Sequence, residues 1–145
     1  MAETLGMLCD KLTIVKLKQY HSDDPDKLAS LNKQAQGLRD EIDAYISDAI
    51  NGKIPLDKLT FEANKVFKKE GNEVAAIDGN IAEVFYKLAD INCRLWHEQE
   101  KVYDFEKVPA REKDSVVKQL AILNLERNTC IDAINKKFAM LVTNQ

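Results

Sequence analysis

Several polar side chains in this chain fall on helical stripes that otherwise read as buried. In "INCRLWHEQEKVY" (91–103), Asn92 and Glu98 lie on the same arc as Ile91 and Leu95. In "LAILNLERNTCIDAI" (120–134), Arg127 lies near the centre of the apolar stripe, with Asn124 and Asn128 on its flank. Near the N-terminus, Asp10 lies beside Met7, Ile14 and Leu17, and Lys16 sits close to a Leu5–Leu12 stripe. An unpaired charge is too costly to bury, so each of these residues needs a partner. The types suggest a chemistry. Arg127 with Lys16 or Lys11 can hold an anion, Asn92, Asn124 and Asn128 can orient it, and Trp96, the single tryptophan, can wall the pocket. Glu98 would serve as acceptor or general base if burial raises its pKa. The candidate ligand-binding set is therefore Asp10, Lys16, Asn92, Trp96, Glu98, Asn124, Arg127 and Asn128.

The same residues have an architectural reading: a polar layer that fixes helix register, as a buried Asn does in coiled coils. A third possibility is a shift in helical phase that leaves them on the surface. His97 falls opposite the seam and is expected to be exposed. No catalytic residue is assigned. "HEQEK" has lysine where a second zinc-binding histidine belongs, and His21 and His97 are preceded at the Glu-x-x-His spacing by Lys18 and Arg94, which excludes a ferritin-like di-iron site. Glu98 and Glu100 point to different faces, so a Mg²⁺ cluster with Asp104 is not formed. Gly-rich phosphate loops and a GxSxG elbow are missing from the sequence. No metal or cofactor is expected, and the balance leans away from an enzyme.

These side chains must be carried by helices. Apolar and charged residues make up 45% and 31%, only five Gly and three Pro occur, and no strand-length alternation persists, so the class is all-α. Helix one is predicted over 3–20, with one stripe at Leu5, Leu8, Leu12 and Val15 and a second at Met7, Ile14 and Leu17. A helix apolar on two sides is buried between neighbours. Asp24-Pro25 starts helix two, predicted over 25–50, whose Leu28, Leu31, Ala35, Leu38, Ile42, Tyr45 and Ala49 keep an unbroken heptad seam up to the Asn51-Gly52 stop. Helix three is predicted over 56–69 on Leu56, Leu59, Ala63, Val66 and Phe67. Helix four runs over 73–105 with an interruption at 78–80, and helix five over 109–142. The last two form a long antiparallel hairpin, helices one and two form another, and the shorter helix lies between them in one domain, 1–145.

Register limits the pairings. With the turn near 107, partners across the second hairpin sum to about 214, so Glu98 lies opposite Val116 and misses Arg127 by about 11 residues, roughly 16 Å. Asn92 and Asn124 are close enough in register to meet. Glu98 then looks to Lys16 or Lys11 of helix one, and Arg127 looks to Asp10, unless a symmetry mate supplies the partner.

The net charge of −3 and the absence of a long basic run argue against nucleic-acid binding. No apolar run approaches the length of a membrane span, and "MAETLGMLCDKLTIVKLK" lacks signal-peptide character, so a cytoplasmic location without membrane insertion is expected. Cys9, Cys93 and Cys130, three and widely spaced, read as reduced thiols.

The segments 88–109 and 116–134 resemble an uncharacterised bacterial family of helical proteins, a domain of unknown function. Its pattern is an Asn-x-x-Leu-Trp-His-x-Glu stretch followed by Leu-Asn-x-x-Arg-Asn before Ile-Asp. Here these are Asn92, Leu95, Trp96, His97 and Glu98 (the spacer allowing), then Leu123, Asn124, Arg127, Asn128, Ile131 and Asp132. Glu98-Gln99-Glu100 and Tyr103 depart from it, where more acid followed by Arg, and a basic residue, are usual. "DKLTIVKLKQYH" (10–21) resembles small bacterial proteins linked with lipopolysaccharide assembly. "GLRDEIDAYISDAI" (37–50) is similar to the first helix of helical chorismate mutases, which would imply Arg and Lys around a dicarboxylate, but the stop at Asn51-Gly52 falls where a further base is wanted. The family resemblance implies no activity, cofactor or catalytic residue. The expected function is a non-enzymatic module that self-associates, with a dimer favoured, or binds a protein partner. The alternative is a protein or enzyme for an anionic small molecule, a phosphosugar or dicarboxylate, using the polar layer.

Overall fold

The structure is a computed structural model, and it describes residues 3–60 and 79–144. Among these residues there are four α-helices and no strand: α1 (Leu5–Tyr20), α2 (Pro25–Ile50), α3 (Ile81–Tyr103) and α4 (Ala110–Thr143). The all-α class is as expected, and the bounds of α2 match the predicted ones. Asp24 accepts from the Asp26 N–H at 3.0 Å and Pro25 takes the first helical position. Past the other end, Gly52 adopts φ 75°, a left-handed backbone that glycine reaches without strain. None of the described helices is long and apolar enough to cross a membrane.

One expectation is altered between α2 and α3. Only a 3₁₀ turn, Leu56–Lys58, is seen at the start of the predicted third helix. It seats Leu59 in the core and leaves Leu56 exposed. The rest of that predicted helix, 61–69, and the predicted 73–78 start of the next one lie outside the described residues. At the expected interruption Gly79 and Asn80 are non-helical, and α3 begins at Ile81. Gly79 has φ 111° and Asn80 occupies the N-cap position.

α3 and α4 pack along their length as a hairpin, joined by a 3₁₀ turn at Phe105–Lys107. Val84, Leu88, Ile91 and Leu95 of α3 interdigitate with Leu123, Cys130, Ile134 and Phe138 of α4. The seams end sooner than their periodicity suggests, since Val102 and Leu141 are exposed. α1 packs on α2, α3 and α4. Leu5 and Cys9 enter the main core, whereas Val15 joins Leu31 and Ala35 of α2 in a second, smaller cluster. The two-sided apolar pattern of α1 follows from that central position.

α1 meets α4 most closely at Gly6. A Cβ placed there would lie 2.4 Å from the Ile131 carbonyl oxygen and 2.9 Å from Asn135 Oδ1. The approach lets Asn135 Oδ1 accept from the Gly6 N–H at 2.7 Å, while Thr4 caps the Met7 N–H. Two of the free N–H groups at the start of α1 are thus satisfied, one of them by another helix. From Gly6 on α4, α1 runs diagonally, so that His21 just past its end packs edge-on to Trp96 of α3, with ring centroids 4.7 Å apart.

A methyl group at Gly6 has nowhere to go without parting the two backbones. Gly6→Ala is expected to destabilise the fold by about 1–3 kcal/mol, as overpacking does. Urea unfolding followed by circular dichroism measures this, and an unchanged midpoint would contradict the close crossing.

Candidate functional site: a polar layer across three helices

One turn beyond Gly6 on α1 stands Asp10, and its carboxylate is the centre of the polar layer. Arg127 of α4 grips it with both arms of the guanidinium: Nε donates to Oδ1 at 2.8 Å and Nη2 to Oδ2 at 2.5 Å. Asn92 of α3 donates from Nδ2 to Asp10 Oδ1 at 2.9 Å and to Thr13 Oγ1 at 2.6 Å. Thr13 donates onward to the Asp10 carbonyl at 2.7 Å. Three helices therefore converge on one carboxylate. The Asp10 side chain is 8% exposed and that of Arg127 33%, so the layer is closed at the carboxylate and reaches solvent along the arginine. The hydrogen bonds that Arg127 donates to Asp10 raise its pKa above the ordinary value, against the opposing effect of burial.

The eight candidate residues separate into groups. Asp10, Asn92 and Arg127 come together, and the expected partnership of Arg127 with Asp10 is found. Asn92 does not meet Asn124, which is exposed. The diagonal course of α1 leaves that flank of α4 uncovered: Val117, one heptad earlier on the same flank, is 57% exposed, whereas Val116 and Leu123 of the apolar stripe are buried. Lys16 is also exposed, six residues past Asp10 and so on the outer side of α1. Glu98 finds neither Lys16 nor Lys11. It pairs with Lys101 at 3.0 Å, one turn along its own helix, while Lys11 pairs with Glu3. Trp96 is half-buried under His21, and Asn128 is half-buried on α4. His97 is exposed, as expected.

Glu98 stands in a different place, a cleft of about 790 Å³ at the α3–α4 turn that also takes in Val116, the residue that hairpin register puts opposite it. The α3 seam opens onto this cleft, which is why a carboxylate sits on it.

Thr13 and Asn135 belong to the polar seam of α1 and α4 and are absent from the candidate set. Their signal is in the spacing: Gly6, Asp10 and Thr13 repeat at four and three, and Arg127, Ile131 and Asn135 at four and four. Small and polar residues at helical spacing mark a close polar crossing as surely as leucines mark a core. Two amide atoms in the seam, Asn92 Oδ1 and Asn135 Nδ2, are buried with no hydrogen-bond partner among the described residues.

The chemistry open to this layer is narrow. Both carboxylate oxygens of Asp10 accept from a guanidinium, which leaves it engaged as an acceptor, unlike a base poised to take a proton. Arg127 has its Nε and one Nη committed. Among the described residues no group of three metal-ligating side chains occurs. Burial pushes the Cys9 thiol up to about 12, with a smaller push from Asp10. Burial, with Glu126 assisting and Lys87 opposing, sets Cys130 at about 11. Neither is a thiolate nucleophile near neutrality. Comparison with protein-family models, curated proteins and solved structures found no match.

Two outcomes follow. Arg127→Leu strands a buried carboxylate and is expected to cost about 3 kcal/mol, whereas Asp10→Leu with Arg127→Leu should recover much of that loss. A double-mutant cycle in urea reads the coupling, and additive single effects would contradict it. The thiols set an alkaline limit. The unfolded Cys9 ionises near 9.0 and the folded one near 12. Its contribution to stability is complete below pH 9 and is lost as pH rises towards 12. Stability measured from about pH 9 to 11 should fall less steeply in Cys9→Ala than in the wild type. In the native protein at neutral pH, only the exposed Cys93 should react quickly with a thiol reagent.

Proposed function

We propose that this chain is a non-enzymatic helical module that associates with a second copy of itself. One observation carries the proposal: the division of the hydrophobic residues into two clusters. The main core is enclosed by α1, α3 and α4, with the end of α2 and Leu59. Among the described residues the second, Val15, Leu31 and Ala35 with Leu12 and Leu38, draws on α1 and α2 alone. On that side of the two helices the described residues supply no further layer, and long helices of this kind are completed by another one. The groups that could do chemistry support the same reading, because Asp10, Asn92 and Arg127 are occupied in holding helices together. The resemblance of 88–134 to a family without assigned activity brings no reaction that would compete with it.

The small-molecule reading has one observation in its favour, the cleft beside Glu98. Its walls carry Glu98, Glu100, Asp104 and Glu112 against Lys101 and Lys107. That balance disfavours a phosphosugar or a dicarboxylate, and the arginine meant to hold such an anion is committed elsewhere. A saturable thermal shift with one of these compounds would restore the reading.

Sedimentation velocity across a micromolar dilution series tests self-association. A concentration-dependent move from monomer to dimer is expected, and a monomer throughout would overturn the proposal.

A further inference from the structure

The outer side of the α1–α2 pair carries a continuous groove. One stretch, of about 420 Å³, lies between Lys11, Ile14 and Lys18 of α1 and Gly37, Leu38 and Glu41 of α2. Across the shared Glu41 it continues into a stretch of about 370 Å³ that includes Ala44, Tyr45 and Asp48, and whose charges are mixed by Glu3 and Lys58. From Gln34 to Asp48 this spans about 21 Å of helix. The floor is apolar, and along the first stretch the two rims differ in sign, Lys11 and Lys18 against Glu41. Exposed charges on α1 are the lysines Lys11, Lys16 and Lys18, whereas the second half of α2 exposes the acids Asp40, Glu41 and Asp43 and a single base, Arg39.

We propose that this groove is the interface with a second copy of the chain, packed so that a two-fold axis runs parallel to the helices. The inference rests on the self-association reading and specifies its surface. Two helix pairs can meet face to face in two symmetric ways. With the axis across the helices, α1 lies on the partner's α1, lysines on lysines, and α2 lies on the partner's α2, acids on acids. With the axis along the helices, each α1 lies on the partner's α2, so the basic rim of one copy faces the acidic rim of the other. Like charges brought together across an interface are costly, and opposed charges select the orientation. In the second arrangement Lys11, which shares its level on the groove with Glu41 of its own copy, faces the partner's Glu41, twice by symmetry. Lys11 already pairs with Glu3 at the start of its own helix, so it meets the partner from a partly fixed position.

Gly37 agrees with this interface. Glycine inside a helix is about 1 kcal/mol less favourable than alanine. Within the protomer nothing described calls for it: its backbone has no positive φ, and no atom lies within 4 Å of where a Cβ would stand. Exposed Ala44 follows one heptad later, also facing the groove. Two small residues on the acidic side of the groove let a partner helix come close, as Gly6 lets α4 approach α1 within the chain.

Full-length protein tests this by sedimentation velocity, with circular dichroism to confirm that each variant is folded. Glu41→Lys alone and Lys11→Glu alone are each expected to weaken dimerisation on the order of tenfold or more. An equimolar mixture of the two variants should dimerise again. In the mixed dimer the glutamate introduced at position 11 of one copy faces the lysine introduced at position 41 of the other. The unchanged Glu41 of the first copy then faces the partner's Lys11. Intramolecular effects cannot produce that recovery. Gly37→Gln, which has free space in the protomer, should stay helical and lose the dimer. If the wild type dimerises and these variants dimerise as well as it does, this interface is wrong and self-association stands. Protection of the groove by a different protein, with the copies joined elsewhere, would likewise overturn it. A wild type that is monomeric at every concentration overturns both.

Discussion

The bidentate pair between Asp10 and Arg127 determines how this protein is put together. It joins the first and last helices, 117 residues apart in the chain, and Asn92 ties the third helix to the same carboxylate. Its worth lies less in stability than in position. Taking both charges out of water costs several kcal/mol per ion, and their attraction roughly offsets this. Asn92 Oδ1, buried without a partner among the described residues, subtracts further. An apolar layer of the same volume would hold the helices as firmly. It would not distinguish one register from another, because leucines pack acceptably one turn out of step. A slip of α1 by one turn, about 5.4 Å, removes both arms of the guanidinium from Asp10 and leaves three polar groups stranded.

The close crossing at Gly6 and this ion pair act together. At Gly6 the backbones of α1 and α4 nearly touch, and Asn135 caps the start of α1 from across the gap. One turn later the separation has grown enough to admit a carboxylate and a guanidinium side by side. From there α1 leaves α4 and ends against Trp96 on α3. The diagonal course has two consequences. The α4 flank beside the apolar stripe is uncovered, so Asn124 and Val117 meet solvent while Val116 and Leu123 stay buried. The later part of α1 keeps α3 on one side and α2 on the other, and its α2 side holds a small hydrophobic cluster separate from the main core.

The sequence was most legible where one helix carries its own instructions. α2 begins and ends where its Asp-Pro cap and Asn-Gly stop put it, because those signals act over a few residues of backbone. The Asp10–Arg127 partnership was also legible, once hairpin register had removed Glu98 as the rival acceptor. Lys16, Asn124 and Glu98 were not. Each was placed by its angle around its own helix, and that angle says nothing of whether a neighbour is present at that height. Asn124 has the right phase to face α1, but α1 has already crossed away. Glu98 has the phase of the α3–α4 seam, but the seam there opens into a cleft, and a lysine one turn away supplies the charge without any tertiary contact. Phase is a property of one helix, whereas burial depends on where its neighbours end.

The same distinction separates a lock from a site. A catalytic carboxylate needs a free acceptor direction and room for a substrate beside it, both of which follow from incomplete pairing. Asp10 has neither: a guanidinium takes both of its oxygens, and Asn92 fills one of the remaining acceptor directions. Glu98 is its converse, with space beside it but a single lysine for company and an acid-rich surrounding that would repel the anions its helix was expected to bind. Asp10, Asn92 and Arg127 have thus been drawn into the framework, while the exposed charges are basic on α1 and, Arg39 apart, acidic on the second half of α2. In a bundle whose inner charges are engaged with one another, the remaining charge pattern lies outside.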